Sequence, residues 1–135
     1  MGAALCALSF AGCGSSSSGK KIALLLPESK TARYETQDRP NFEAKLKSLC
    51  KDCTIIYSNA DQDANKQQSQ ADAALTNGAK VLVLDAVDGK AAAAIVDKAK
   101  QQKVPVISYD RLVTGTENVD YYISFDNEQV GKLQG

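Results

Sequence analysis

Short apolar runs alternate along this chain with stretches of helical spacing, and that alternation limits the fold more than any other feature. Ile22 to Leu26 is a continuous apolar run, as expected for a strand buried on both faces. Phe42, Leu46 and Leu49 then recur at helical spacing before Cys50. Thr54 to Tyr57 reads as a second, short β-branched strand. Asp63 to Thr76 carries Ala64, Ala71, Ala74 and Leu75 on one helical face, and Asn77-Gly78 supplies a left-handed helix end. Val81 to Leu84 is the third strand, and Ala92, Ile95, Val96 and Ala99 line a third helix. Val104 to Tyr109 is the fourth strand, with Pro105 tolerated at its start. Tyr121 to Phe125 is the fifth, and Asp126 or Asn127 caps a helix that opens with Glu128, Val130 and Leu133.

This order predicts an α/β fold: a parallel β-sheet with right-handed crossovers and helices on both faces. Gly135 falls about two turns into the fourth helix, before its apolar stripe is buried. The expectation is therefore one incomplete lobe of a longer protein, with residues 20–135 forming the lobe and residues 1–19 a leader and tether.

Met1 to Ala11 is short and apolar, too short to span a bilayer and similar to a signal h-region. Phe10-Ala11-Gly12-Cys13 resembles a bacterial lipobox, and Ser15-Ser16-Ser17-Ser18-Gly19 follows as a polar tether. The expectation is an exported protein in the cell envelope. It is either periplasmic or held through lipid on Cys13 at the outer face of the cytoplasmic membrane.

Charge and composition exclude several classes. Sixteen basic residues balance sixteen acidic ones, so no basic field is available for nucleic acid or an anionic membrane surface. The chain has no histidine, which removes the commonest general base and metal ligand. Pro27-Glu28-Ser29-Lys30 after the first strand is not a glycine-rich phosphate cradle, which argues against a dinucleotide site or a P-loop. No metal, cofactor or catalytic activity is expected.

Polar residues follow every strand. In a parallel sheet the carboxyl ends of the strands share one rim, where ligands bind. Glu28, Arg33 and Tyr34 follow the first strand, Asn59, Asp61 and Asp63 the second, and Asp85 and Asp88 the third. Asp110 and Arg111 follow the fourth, and Asp126 and Asn127 the fifth. Turn and cap chemistry accounts for Asp61, Asp63 and Asp88. Asp85 stays open between a turn role and a ligand role. Asp110-Arg111 is not demanded by turn chemistry. Its guanidinium fork donates parallel hydrogen bonds while the carboxylate accepts from hydroxyls, which suits a polyhydroxylated ligand such as a sugar.

Cys50-Lys51-Asp52-Cys53 sits at a helix C-terminus, where the dipole has the wrong sign to stabilise a thiolate. A zinc knuckle needs a second ligand pair, and none follows. In an exported chain the expected state is a small disulfide closing the helix-to-strand turn, with free thiols the alternative. Cys6 leaves with the leader.

Ile107-Ser108-Tyr109-Asp110-Arg111 and Tyr122-Ile123-Ser124-Phe125-Asp126-Asn127-Glu128-Gln129-Val130-Gly131 closely resemble the xylose-binding substrate-binding proteins of bacterial ABC importers. These belong to the pentose- and ribose-binding group of periplasmic binding proteins. The resemblance runs from Lys20 to Gly135 and includes Ala32-Arg33-Tyr34. It implies two similar lobes that close on a monosaccharide and then dock on a membrane permease, in a protein that is monomeric. Carried onto this chain, Arg33, Asp110 and Arg111 would bond sugar hydroxyls, and Tyr34 would pack on an apolar sugar face. Asp126 and Asn127 would lie at the cleft edge. Tyr34 stands where the family often has Trp, which leaves the sugar open. One lobe without its partner is expected to bind sugar weakly.

Two alternatives share this core. A LacI-type regulator would carry a helix-turn-helix before the first strand, where this chain has an apolar leader, Cys13 and a serine tract. An envelope sensor that reports sugar to a signalling partner has the same sequence features as a transport protein.

Overall fold

The computed structural model describes residues 19–135; the leader, the lipobox and Cys13 lie outside them. Five strands form one parallel sheet: β1 (Lys21–Leu26), β2 (Thr54–Asn59), β3 (Ala79–Leu84), β4 (Val106–Tyr109) and β5 (Tyr121–Ile123). Their spatial order is β2-β1-β3-β4-β5. Helices α1 (Arg39–Leu49), α2 (Ala64–Thr76), α3 (Ala93–Gln101) and α4 (Asn127–Gln134) complete the lobe. The expected α/β class with helices on both faces is what the chain adopts.

Strand alternation sorts the core into two layers. Ala23, Leu25, Leu82, Leu84 and Val106 face one side, where they meet Ala71, Ala74 and Leu75 of α2 and Ile95, Val96 and Ala99 of α3. The alanines bring both helices close to the sheet. Leu24, Leu26 and Val83 face the other side, with Tyr34, Phe42, Tyr57, Ile107 and Tyr109 packed around them. Gly78 adopts φ +82° after α2, the left-handed end that Asn77-Gly78 predicts.

The helix after β1 differs most from expectation. It begins at Ala32, seven residues before Arg39, and passes through a wide π-type turn over Tyr34–Asp38. The Arg39 N–H bonds back to the Tyr34 carbonyl, five residues earlier. Pro40 follows at once, and a proline ring cannot sit against the carbonyl four residues before it. The widened turn accommodates it. Leu49, the last residue of α1, is 73% exposed, so the predicted apolar face of this helix ends at Leu46.

Two strand boundaries also move. Val104 donates its N–H to the Ala99 carbonyl, so it closes α3 and β4 starts at Val106. β5 stops at Ile123, because Ser124 turns to donate its hydroxyl to the Asp110 carbonyl. β5 is an exposed edge strand, and α4 buries none of its residues. Among the described residues, no helix is long and apolar enough to cross a membrane.

Candidate functional site

The strand order reverses between β1 and β3: β1 connects outward to β2, and the chain then crosses to β3 on the other side. In open parallel sheets the crevice at such a switch point, outside the carboxyl ends of the strands, is where ligands bind. The segments after β1, β3 and β4 converge there.

After β1, Glu28 is buried, and its carboxylate accepts the N–H groups of Lys30 and Thr31 at the start of the helix. The bond from Thr31, more than any other contact, holds its pKa below the usual carboxylate range. This cap sets the direction in which Arg33 and Tyr34 leave the helix. Arg33 donates from Nη2 to Oδ2 of Asp110 at 2.6 Å, and its Nε pairs with Asp38 at 3.2 Å. The guanidinium lies 4.9 Å from the Phe125 ring centre and 5.0 Å from that of Tyr34. Such stacking is an attraction available to a planar cation.

Tyr34 departs from its expected role. Its ring is 3% exposed, packed among Leu24, Leu26 and Val83, and so presents no free face for a sugar. Its hydroxyl instead donates to Oδ2 of Asp110 at 3.0 Å. Burial, reinforced by the charge of Asp85, raises its pKa, which keeps that proton in place. Phe125, at 56% exposure, presents an aromatic face open at the rim. It stands in the Phe-Asp-Asn motif that the sequence singles out, but strand assignment hid it.

After β4, Asp110 adopts φ +59° and Arg111 donates its N–H to the Tyr109 carbonyl at 2.7 Å. A tight three-residue turn results, of the rare positive-φ kind, with Asp110 at its centre. Buried Ser108 pins the turn from below: its hydroxyl donates to the Arg111 carbonyl and accepts from the Val113 N–H. Tyr122 and Ser124 donate to the Asp110 carbonyl. Arg111 donates from Nη1 to the Ala86 carbonyl at 3.2 Å, and its Nε is 3.7 Å from Oδ1 of Asp85.

Asp85 closes the site from beneath. Its side chain is wholly buried at the end of central strand β3. Burial first, and the Asp110 charge second, push its pKa up to about 7, with Arg111 pulling the other way. Gln67 of α2 holds the adjoining backbone, donating to the Asp85 carbonyl and accepting from the Val87 N–H. A buried glutamine on the otherwise apolar stripe of α2 was the sequence signal for this bridge.

Asp126 and Asn127 stay apart from the cluster. Asp126 caps α4 by accepting the Gln129 N–H, and Asn127 is exposed. Neither hydrogen-bonds Arg33, Asp110 or Arg111 among the described residues. Asp63 caps α2, Asp88 accepts the N–H groups of Lys90 and Ala91 before α3, and Asp61 pairs with Lys66, all within local turns. Cys50 and Cys53 form a disulfide that closes the α1–β2 turn at the opposite end of the sheet. A groove of about 290 Å³ runs beside α1 between Leu24, Phe42, Val83 and Tyr109, and Asp38 joins it to the rim.

The periplasmic binding protein domain matches residues 22–135. The chain belongs to the periplasmic binding protein family. This lobe is 37% identical over 114 residues to a multiple sugar-binding periplasmic protein of Azospirillum brasilense, covering 84% of this chain and 31% of that one. It is 33% identical to the D-xylose-binding periplasmic protein of Escherichia coli, covering 84% and 33%. Its backbone matches an ABC transporter solute-binding protein of Clostridium phytofermentans with bound β-D-glucose at a TM-score of 0.80 and 32% identity, covering 85% and 35%. A carbohydrate transporter solute-binding protein of Chloroflexus aurantiacus in complex with D-glucose matches at 0.77, with 32% identity, covering 85% and 34%. The binding-protein lobe thus spans about a third of the length of these relatives. All four are binding proteins, in keeping with a non-enzymatic reading of the sequence.

Proposed function

We propose that this lobe supplies half of a monosaccharide site in the solute-binding protein of an ABC importer, with a second lobe closing over it. The observation that carries the reading is the joined cluster Arg33–Asp110–Tyr34 with Arg111 beside it, at the strand-order reversal. Arg33 and Arg111 offer planar donor forks, and Asp110 offers acceptor lone pairs held in place by two donors. Alternating donors and acceptors match the vicinal hydroxyls of a sugar. Phe125 offers an apolar face at the same rim, and Asp126 and Asn127 stand at the cleft edge. Relatives that bind D-xylose and D-glucose support a pentose or hexose ligand, with xylose favoured by the Tyr-Asp-Arg and Phe-Asp-Asn-Glu motifs. The same reading places the protein outside the cytoplasmic membrane, anchored through lipid on Cys13 and docking on a permease as a monomer.

The test is calorimetric titration of the native full-length protein with xylose, ribose, arabinose, glucose and myo-inositol. Saturable binding of one or more supports the reading, and no heat with any of them overturns it. Cys13→Ala tests the anchor separately: the variant should leave the membrane fraction, and a variant that stays there rules the anchor out.

A further inference from the structure

Asp85 is a buried acid that the hydroxyl-bonding scheme above does not use. Its backbone is fixed from two sides, by the Leu25 carbonyl across the ladder and by Gln67 of α2. Its main chain is therefore held in one place. Yet neither carboxylate oxygen accepts a hydrogen bond of normal geometry from any described residue, and the Tyr34 hydroxyl is near enough only to favour the ionised form. Burying an acid without partners is costly, and an apolar residue of similar size would be cheaper for stability alone. The nearest cation is the Arg111 guanidinium, 3.7 Å from Oδ1, already tethered by Nη1 to the Ala86 carbonyl.

We propose that Asp85 is a positioning residue for the sugar site, holding the Arg111 guanidinium at the rim from beneath and so coupling sugar affinity to its own charge. This rests on the monosaccharide reading above. The groups that face Asp85 are Arg111 and Asp110 from the turn after β4, and Arg33 and Tyr34 from the helix after β1. Gln67, from α2, is uncharged. Glu28 shares the rim, but its carboxylate is occupied by the Lys30 and Thr31 N–H groups. Ionised Asp85 draws on the Arg111 Nε and fixes the guanidinium plane, leaving the outer donors set for hydroxyls. Protonated Asp85 gives up that attraction, and a long side chain then loses more freedom when sugar binds. Burial places this change near neutrality, and residues 1–135 include no histidine that would titrate beside it. A sugar does not titrate there, so the coupling belongs to the protein.

The sign follows from linkage. If sugar favours the ionised acid, the bound form ionises at lower pH than the free form, and affinity rises with pH. A difference of one pH unit between the two forms corresponds to about tenfold in affinity. The experiment is titration of the full-length protein with its best monosaccharide at about pH 5.5 and pH 8.5, for wild type, Asp85→Asn and Arg111→Gln. Wild type should tighten by about three- to tenfold at the higher pH. Asp85→Asn should keep binding, near the weaker wild-type affinity, with that rise lost. Arg111→Gln should bind more weakly and also lose the rise, which keeps the test decisive if Asp85→Asn does not fold. Sugar binding with the same pH dependence in wild type and either variant overturns the positioning role and leaves the sugar reading intact. No sugar binding by wild type at either pH overturns both.

Discussion

Nη2 of Arg33 lies 2.6 Å from Oδ2 of Asp110, and this contact joins the helix after β1 to the turn after β4 across the place where the strand order reverses. Tyr34 donates to the same carboxylate oxygen. The two donors fix the carboxylate before any ligand arrives, which lowers the ordering cost of binding. In the full-length protein, Asp110→Ala and Arg33→Ala should each weaken sugar binding by about 1.5–3 kcal/mol, the range for hydrogen bonds to charged groups. The double variant should lose less than the sum, because the residues share one network. Calorimetric affinities equal to wild type in both single variants would remove the pair from the site.

Asp85 also makes a prediction about stability. Its pKa is raised in the folded state, to about 7 from an ordinary value of 3.8. The folded protein therefore holds a proton that the unfolded chain has released. The contribution of Asp85 to stability therefore falls as pH rises from about 4 to 7 and is level above that. Asp85→Asn removes this loss, so it should melt higher than wild type at pH 7.5, by an amount worth up to a few kcal/mol. The two proteins should converge near pH 4. Equal melting temperatures at both pH values would mean that Asp85 is not destabilised by its burial.

The loop carrying Arg111 is braced from the side at Gly89. A Cβ at this position would lie 2.6 Å from the Leu112 carbonyl oxygen, while the Gly89 carbonyl accepts the Thr114 N–H. Neither backbone yields easily, so Gly89→Ala should destabilise the protein by about 1–3 kcal/mol, as overpacking does. It should also weaken sugar binding, since the displaced segment begins at Arg111. Denaturant unfolding and a sugar titration on one sample would check both. A variant with wild-type stability would show that the loop accommodates the methyl without strain.

Much of this architecture was legible because burial writes itself into hydropathy. Leu24, Leu25 and Leu26 sit in an unbroken apolar run since helices cover both faces of β1, and the left-handed Gly78 marked the end of α2. Asp110-Arg111 stood out because turn chemistry does not require an arginine there. What was not legible depends on distance along the chain. Tyr34 is 76 residues from Asp110, and no local pattern says that its hydroxyl bonds that carboxylate while its ring enters the core. Phe42, Leu46 and Leu49 share helical spacing, but spacing does not say how far along α1 the sheet reaches, and Leu49 at the helix end stays exposed. Phe125 read as the end of a strand because β5 stops two residues earlier, where Ser124 turns to the Asp110 carbonyl.

The Cys50–Cys53 disulfide allows the two ends of the sheet to be tested independently. It lies between the C-terminus of α1 and the start of β2, at the amino end of the strands, whereas Arg33, Asp110 and Arg111 lie at the carboxyl end. The cross-link joins residues three apart, so the unfolded chain loses little freedom when it forms. Loop-closure entropy for so short a ring amounts to about 2 kcal/mol or less. Replacing both cysteines by serine should lower stability by no more than that in denaturant unfolding. Sugar affinity should stay within about twofold, because no contact of the site passes through this turn and distant sites act independently. A large loss of affinity with unchanged stability would show that the turn communicates with the rim. The sheet would then transmit strain along β2 into the Tyr57–Glu35 contact, where Glu35 also accepts from Asn59.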